Sequence, residues 1–192
     1  MSFSPSNILA GPARIFVGTT APTSGTPPTL VGHTNGVPAT GTEVGYTTGP
    51  VEFVYKNTKE EVKPEQTYMP VALYVTDEMA EITFECLEKT YSTLLRAFDN
   101  VGTVTDANKD LFYFGNGASI ITPFTATVVF TSPQRTNAAK YSVGMLYYAY
   151  NPEGVRLPFT KTKPMSYKMT FRALADVTRT AGDQGGQFYI EK

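Results

Sequence analysis

The chain has 192 residues, 41% of them hydrophobic, with a formal net charge of −1. That length favours one domain with its own core, and the near-neutral balance excludes a global electrostatic pull on nucleic acid or an anionic membrane. Cys86 is the only cysteine and His33 the only histidine, which excludes an intramolecular disulfide and a Cys/His zinc set.

Thr, Val and the 12 Tyr and 12 Phe favour a pleated, half-buried surface, while 16 Gly and 14 Pro supply turns. The expected fold class is therefore mainly β, in one domain over 1–192. Met1 to Pro12 is small and polar and reads as an N-terminal arm with no basic, apolar leader pattern. Ala13 to Val17 is a short strand. Residues 18–45 form a long Gly/Pro/Thr loop holding at most short strands, around Thr29 to Val31, and loops of that length in compact domains are usually functional.

Val51, Phe53 and Tyr55 alternate with Glu52, Val54 and Lys56, the period of a half-buried strand. Lys56 to Pro64 reads as a charged turn. The stretch 57–76 reads as an exposed loop, in which Val71, Leu73 and Val75 alternate after Pro70. A second strand is expected over Ala80 to Cys86, with Ile82, Phe84 and Cys86 inward and Glu81, Thr83 and Glu85 outward. Leu87, Tyr91, Leu94, Leu95 and Phe98 make one apolar helical stripe. The helix begins at Tyr91 with Thr90 as its cap, or nearer Leu87, and ends at Asn100 and Gly102. Leu94 and Leu95 are both expected to bury. Short strands follow at Leu111–Phe114, Thr125–Thr131, Ser142–Tyr150, Ser166–Leu174 and Gln187–Glu191.

Candidate chemistry is sparse. His33 is the only imidazole and sits in a Gly/Thr/Pro-rich loop, where no nucleophile pairs with it. Cys86 on the apolar side of a strand reads as a buried thiol. Gly115-Asn116-Gly117 lacks a phosphate-loop continuation. No run of about 18 apolar residues marks a membrane span. The sequence therefore predicts no enzyme, no cofactor, no metal site and no membrane association.

The order of residues from 45 to 98 resembles the major tail tube proteins of long-tailed, siphovirus-type bacteriophages. The matching residues are Gly45-Tyr46-Thr47 with Gly49, Val51-Glu52-Phe53-Val54-Tyr55, and Val62 to Gln66 leading into Pro70-Val71. Thr76-Asp77-Glu78, Glu81-Ile82-Thr83-Phe84 and Leu87-Glu88-Lys89-Thr90 continue the match, with Leu94 and Leu95 on the helix. The resemblance covers the middle third of the chain, and the two ends match only in β-rich character.

The resemblance implies a β-sandwich that forms an inner barrel, with one flanking helix and long loops. Hexameric rings would stack into a tube through which double-stranded DNA passes during ejection. It implies a virion location in the tail, synthesis in the host bacterial cytoplasm, and tape measure, tail terminator and distal tail proteins as partners. Glu52, Glu81, Thr83 and Glu85 would face the lumen. Lys59, Glu60, Glu61, Pro64, Gln66, Tyr68, Val71, Leu73 and Val75 would belong to an assembly loop. Two alternatives stay open: a carbohydrate-binding β-sandwich using the tyrosines between Tyr141 and Tyr150, and a related ring protein such as a contractile-tail inner tube or a tail-completion protein.

Overall fold

In a computed structural model, residues 13–23, 26, 30–31, 37–88, 90–98, 102–106, 109–115, 122–131, 141–159, 161 and 165–190 are described. The expected arm at 1–12, His33 and the polar loop 134–140 lie outside them. In chain order the elements are β1 (Ala13–Val17), β2 (Leu30–Val31), β3 (Val37–Pro38), β4 (Thr42–Glu43), β5 (Thr47–Val62) and β6 (Ala72–Cys86). Then come the helix α1 (Tyr91–Phe98), β7 (Gly102–Asp106), β8 (Lys109–Tyr113), β9 (Phe124–Thr131), β10 (Tyr141–Tyr150), β11 (Tyr167–Leu174) and β12 (Gly186–Ile190). The protein is mainly β, antiparallel throughout, with one helix among the described residues.

Eight strands form one sheet in the order β4-β1-β9-β10-β11-β6-β5, with β12 also on β10. The expected sandwich is thus a single sheet rolled over itself. Ile15, Val17, Ala126, Val128 and Leu146 from β1, β9 and β10 meet Ile82, Phe84, Cys86, Met169 and Phe171 from β6 and β11. Phe124 and Phe171 pack edge to face with ring centres 4.9 Å apart. The period of two sets this core: Ile82, Phe84 and Cys86 are buried, as their alternation predicts.

β10 is buried on both faces through most of its length. Along one edge it pairs with β9. On its other edge, Ser142–Leu146 pair with β12 and Tyr148–Tyr150 with the end of β11. β11 and β12 therefore follow each other along β10, interrupted by the loop 175–185. Arg179 pins that loop. It pairs with Asp176 and Asp183 at 3.3 Å each, lies 3.6 Å over the Tyr147 ring, and donates to the Pro22 carbonyl at 2.5 Å.

The helix α1 starts at Tyr91, and the Thr90 hydroxyl accepts from the Thr93 amide at 3.3 Å as an N-cap. Leu94 and Ala97 bury, but Leu95 is only half-buried, so one of the two expected leucines faces partly outward. β7, which the sequence reading missed, pairs with β8. Phe112 of β8 holds this small sheet against Tyr91 and Phe98 of the helix.

The largest correction concerns 57–76. It is not a loop, and Lys56–Pro64 is not a turn. β5 runs on to Val62 and β6 begins at Ala72, so only 63–71 connects them. The pairing persists to Val62 opposite Ala72, with a bulge between Thr58 and Lys59. The strand was hidden because neither side of it is buried, which removes the alternation that marks a strand in sequence.

Candidate assembly surface

The outer half of the β5–β6 hairpin is an arm. From Tyr55 to Glu78 every residue except Pro64 and Ala72 is exposed. Val75 stands opposite Lys59 and Leu73 opposite Glu61; on the other face Tyr74 stands opposite Glu60. Each face thus mixes apolar side chains with charge. At the tip, Pro64 accepts a backbone bond from Thr67 at 3.1 Å, and Val71 donates to Val62 at 2.9 Å to close the ladder. Gln66 lies within that turn, and Tyr68 and Met69 are essentially bare, at 106% and 78% exposure. Val62, Val71, Leu73, Tyr74 and Val75 are exposed as well. All nine expected assembly residues therefore lie on one projecting element; the sequence reading missed Tyr74 and Met69 beside them. An isolated two-stranded hairpin is marginal in water, and exposed apolar side chains clustered in this way are a feature of interaction surfaces.

The four residues expected on one face do share it. Register across β5, β6 and β11 gives three rows: Thr48, Glu85 and Lys168; Glu52, Thr83 and Thr170; Val54, Glu81 and Arg172. Glu52 is exposed, and Glu81, Thr83 and Glu85 are half-buried. The face is not a bare acidic wall. Arg172 Nε contacts Glu81 Oε1 at 2.6 Å, and that bond holds the Arg172 guanidinium above its usual range. Ser166 Oγ donates to Glu85. Lys56, Lys168 and Arg172 stand among Glu52, Asp77, Glu81 and Glu85, so the signs nearly balance.

A cleft opens where β6 parts from β11. Pairing between them ends at Glu81 and Arg172, whereas β11 and β12 continue along β10. The cleft measures about 590 Å³, and Phe53, Tyr55, Met79, Leu174 and Phe188 are among its walls. Its rim carries Glu78, which accepts from the Tyr55 hydroxyl at 3.1 Å.

The tyrosines of the sugar-binding alternative are mostly turned inward. Tyr141 and Tyr147 are buried, and of the four in β10 only Tyr148 is exposed. Cys86 is buried, and desolvation pushes its thiol up, which disfavours the reactive thiolate. Among the described residues no group of three or more His, Cys, Asp or Glu is placed to hold a metal, and no helix is long and apolar enough to cross a membrane.

No family model matches the chain, and no curated protein matches it. Ten solved chains do. One is the crystal structure of an Hcp protein, 13% identical, covering 94% of this chain and all of that one, with a TM-score of 0.35.

Proposed function

We propose that this protein is a structural subunit that polymerises into stacked rings and so into a tube, as the phage tail tube proteins that residues 45–98 resemble do. The observation that carries the reading is the arm: a paired hairpin, exposed on both faces from Tyr55 to Glu78 save two residues, with seven exposed apolar side chains beyond Tyr55. A monomer gains nothing from this arrangement. An assembly that covers the arm gains roughly 25 cal/mol per Å² of apolar surface removed from water. A contact between an arm and a different surface of the next copy is heterologous, and such contacts give closed rings or open polymers.

Within this reading the six-fold ring, the virion location and the passage of double-stranded DNA follow from the resemblance. The face bearing Glu52, Glu81, Thr83 and Glu85 is the lumen candidate. Its near-balanced charge, with Glu81 paired to Arg172, gives phosphate neither a strong attraction nor a strong barrier. No catalytic role is assigned.

The test is electron microscopy of the purified protein beside a variant in which residues 58–77 are replaced by a short Gly-Ser turn. The full chain should form rings or tubes. The variant should remain a folded monomer, since the core lies in the other strands and the base of the hairpin. Tubes of normal appearance from the variant would overturn the assignment.

A further inference from the structure

The arm needs a receptacle, and one surface of the same chain meets its requirements. We propose that the cleft between β6 and β12 receives the arm tip, residues 63–71, of a second copy of this chain, with Tyr68 and Met69 filling it and Lys63 meeting Glu78. This rests on the assembly reading above and names the partner surface that reading leaves open.

The cleft is apolar along Phe53, Met79, Leu174 and Phe188, yet Leu174 and Phe188 stay 41% and 44% exposed. Its wall is unfinished in a second way. The side-chain amide nitrogen of Gln187 is buried there with no hydrogen-bond partner, and a buried donor left unmade is costly. The space of about 590 Å³ falls within the range of pockets that enclose a ligand of several side chains.

The chain's own tip cannot be the occupant. From Tyr55 opposite Ala80 to Val62 opposite Ala72 the ladder runs seven residues, which at about 3.3 Å per residue carries the tip roughly 23 Å from the cleft. A second copy has no such restriction. Charge can match at one point: Glu78 is the one charged group among the cleft's lining residues, and of the tip's two charged residues, Lys63 and Glu65, Lys63 directly follows the arm's last ladder pair. In the free chain Lys63 pairs with Glu61 at 2.7 Å, both side chains about half exposed. Exchanging so exposed a pair for Glu78 costs little. Donor and receptacle lie at opposite ends of one arm, so the contact is heterologous, and the rotation from copy to copy sets whether it closes into a ring or runs on as a filament.

Two experiments decide this. Glu78→Lys alone and Lys63→Glu alone should each reduce assembly at least tenfold, and the double variant should recover it. In the second, Met69→Cys and Leu174→Cys proteins are mixed in equal amounts under a mild oxidant, with the buried Cys86 left in place. A covalent dimer should form in the mixture and in neither protein alone. Normal assembly by Glu78→Lys, or assembled particles without the mixed disulfide, overturns the assignment. If arm-less protein fails to assemble while the cleft variants assemble normally, only the cleft is misassigned. A wild-type chain that stays monomeric overturns both readings. Protection of the thiol at position 174 even in the arm-less monomer gives the cleft to a small apolar ligand and likewise overturns the proposal.

Discussion

The ring of Phe53 on β5 packs against the bare Cα of Gly144 on β10, so closely that a Cβ at residue 144 would meet Phe53 Cδ2 at 2.5 Å. This contact rolls the sheet over itself, and Phe53 also meets Phe188 with ring centres 5.3 Å apart. Glycine in a strand is otherwise a weakness, because it adds chain entropy and packs nothing.

The sign of one substitution follows. Gly144→Ala without a clash would stabilise by a few tenths to about 1 kcal/mol through the unfolded state. With Phe53 in place it should destabilise by about 1–3 kcal/mol, the usual cost of overpacking. Adding Phe53→Leu should recover part of that loss, which a double-mutant cycle in denaturant measures. Stabilisation by Gly144→Ala alone would show that β5 does not lie over β10.

On the helix the two neighbouring leucines should separate. Leu94 is in the core, whereas Leu95 is half-buried. Leu94→Ala should cost about 2–5 kcal/mol. Leu95→Ala should cost about 1 kcal/mol, near half the transfer value of a buried leucine. Equal losses in thermal unfolding would contradict the helix orientation.

The contrast shows what the sequence carries. Strands with one buried face were legible because burial writes a period of two: Ile82, Phe84 and Cys86 against Glu81, Thr83 and Glu85. Thr90 was legible as a cap because its hydroxyl has a defined task. Leu95 was not, since 3.6-residue spacing cannot say where a stripe ends when a short helix meets a curved sheet. The arm was misread for a related reason. Lys56 to Val62 faces solvent on both sides, so its strand is set by pairing with residues 72–79, a tertiary fact. Alternation placed Glu81, Thr83 and Glu85 on one side of their strand, but Glu52 joins them only through the pairing of β5 with β6, and Lys168 and Arg172, about ninety residues away, only through the register of β11.

Alkaline unfolding should depend on Tyr147. Burial, with the bond its hydroxyl donates to Asp183 at 2.8 Å, pushes its pKa up to about 12, against the opposing pull of Arg179. A pKa raised by folding means the neutral phenol is favoured in the folded state. Its contribution is complete below about pH 10, where the unfolded phenol titrates, and is lost as pH rises toward 12. Tyr147→Phe should lower stability by about 0.5–1.5 kcal/mol at pH 8, where the hydrogen bond is lost. It should also flatten the decline between pH 10 and 12. Tyr167, raised as well through burial, keeps a remaining slope in both proteins. Identical alkaline slopes for wild type and variant would show that Tyr147 does not titrate against the folded state.

The charged face yields a test that separates structure from transport. Glu81 is the more buried partner of its pair, with 14% of its side chain exposed against 37% for Arg172. Removing the arginine therefore strands a carboxylate: Arg172→Ala should cost about 1–3 kcal/mol, and Glu81→Gln less than about 1 kcal/mol. Changing Glu52, Glu81 and Glu85 together to Gln leaves Asp77 alone against Lys56, Lys168 and Arg172 on this face. Assembly should survive, because exposed charges add little stability. If the face lines a channel, tubes of the triple variant should retain short duplex DNA on sedimentation at low salt. They should release it as salt rises, since phosphate binding weakens steeply with ionic strength. Wild-type tubes should retain none. Intact triple-variant tubes that ignore DNA at every salt concentration would put these carboxylates on the outer wall.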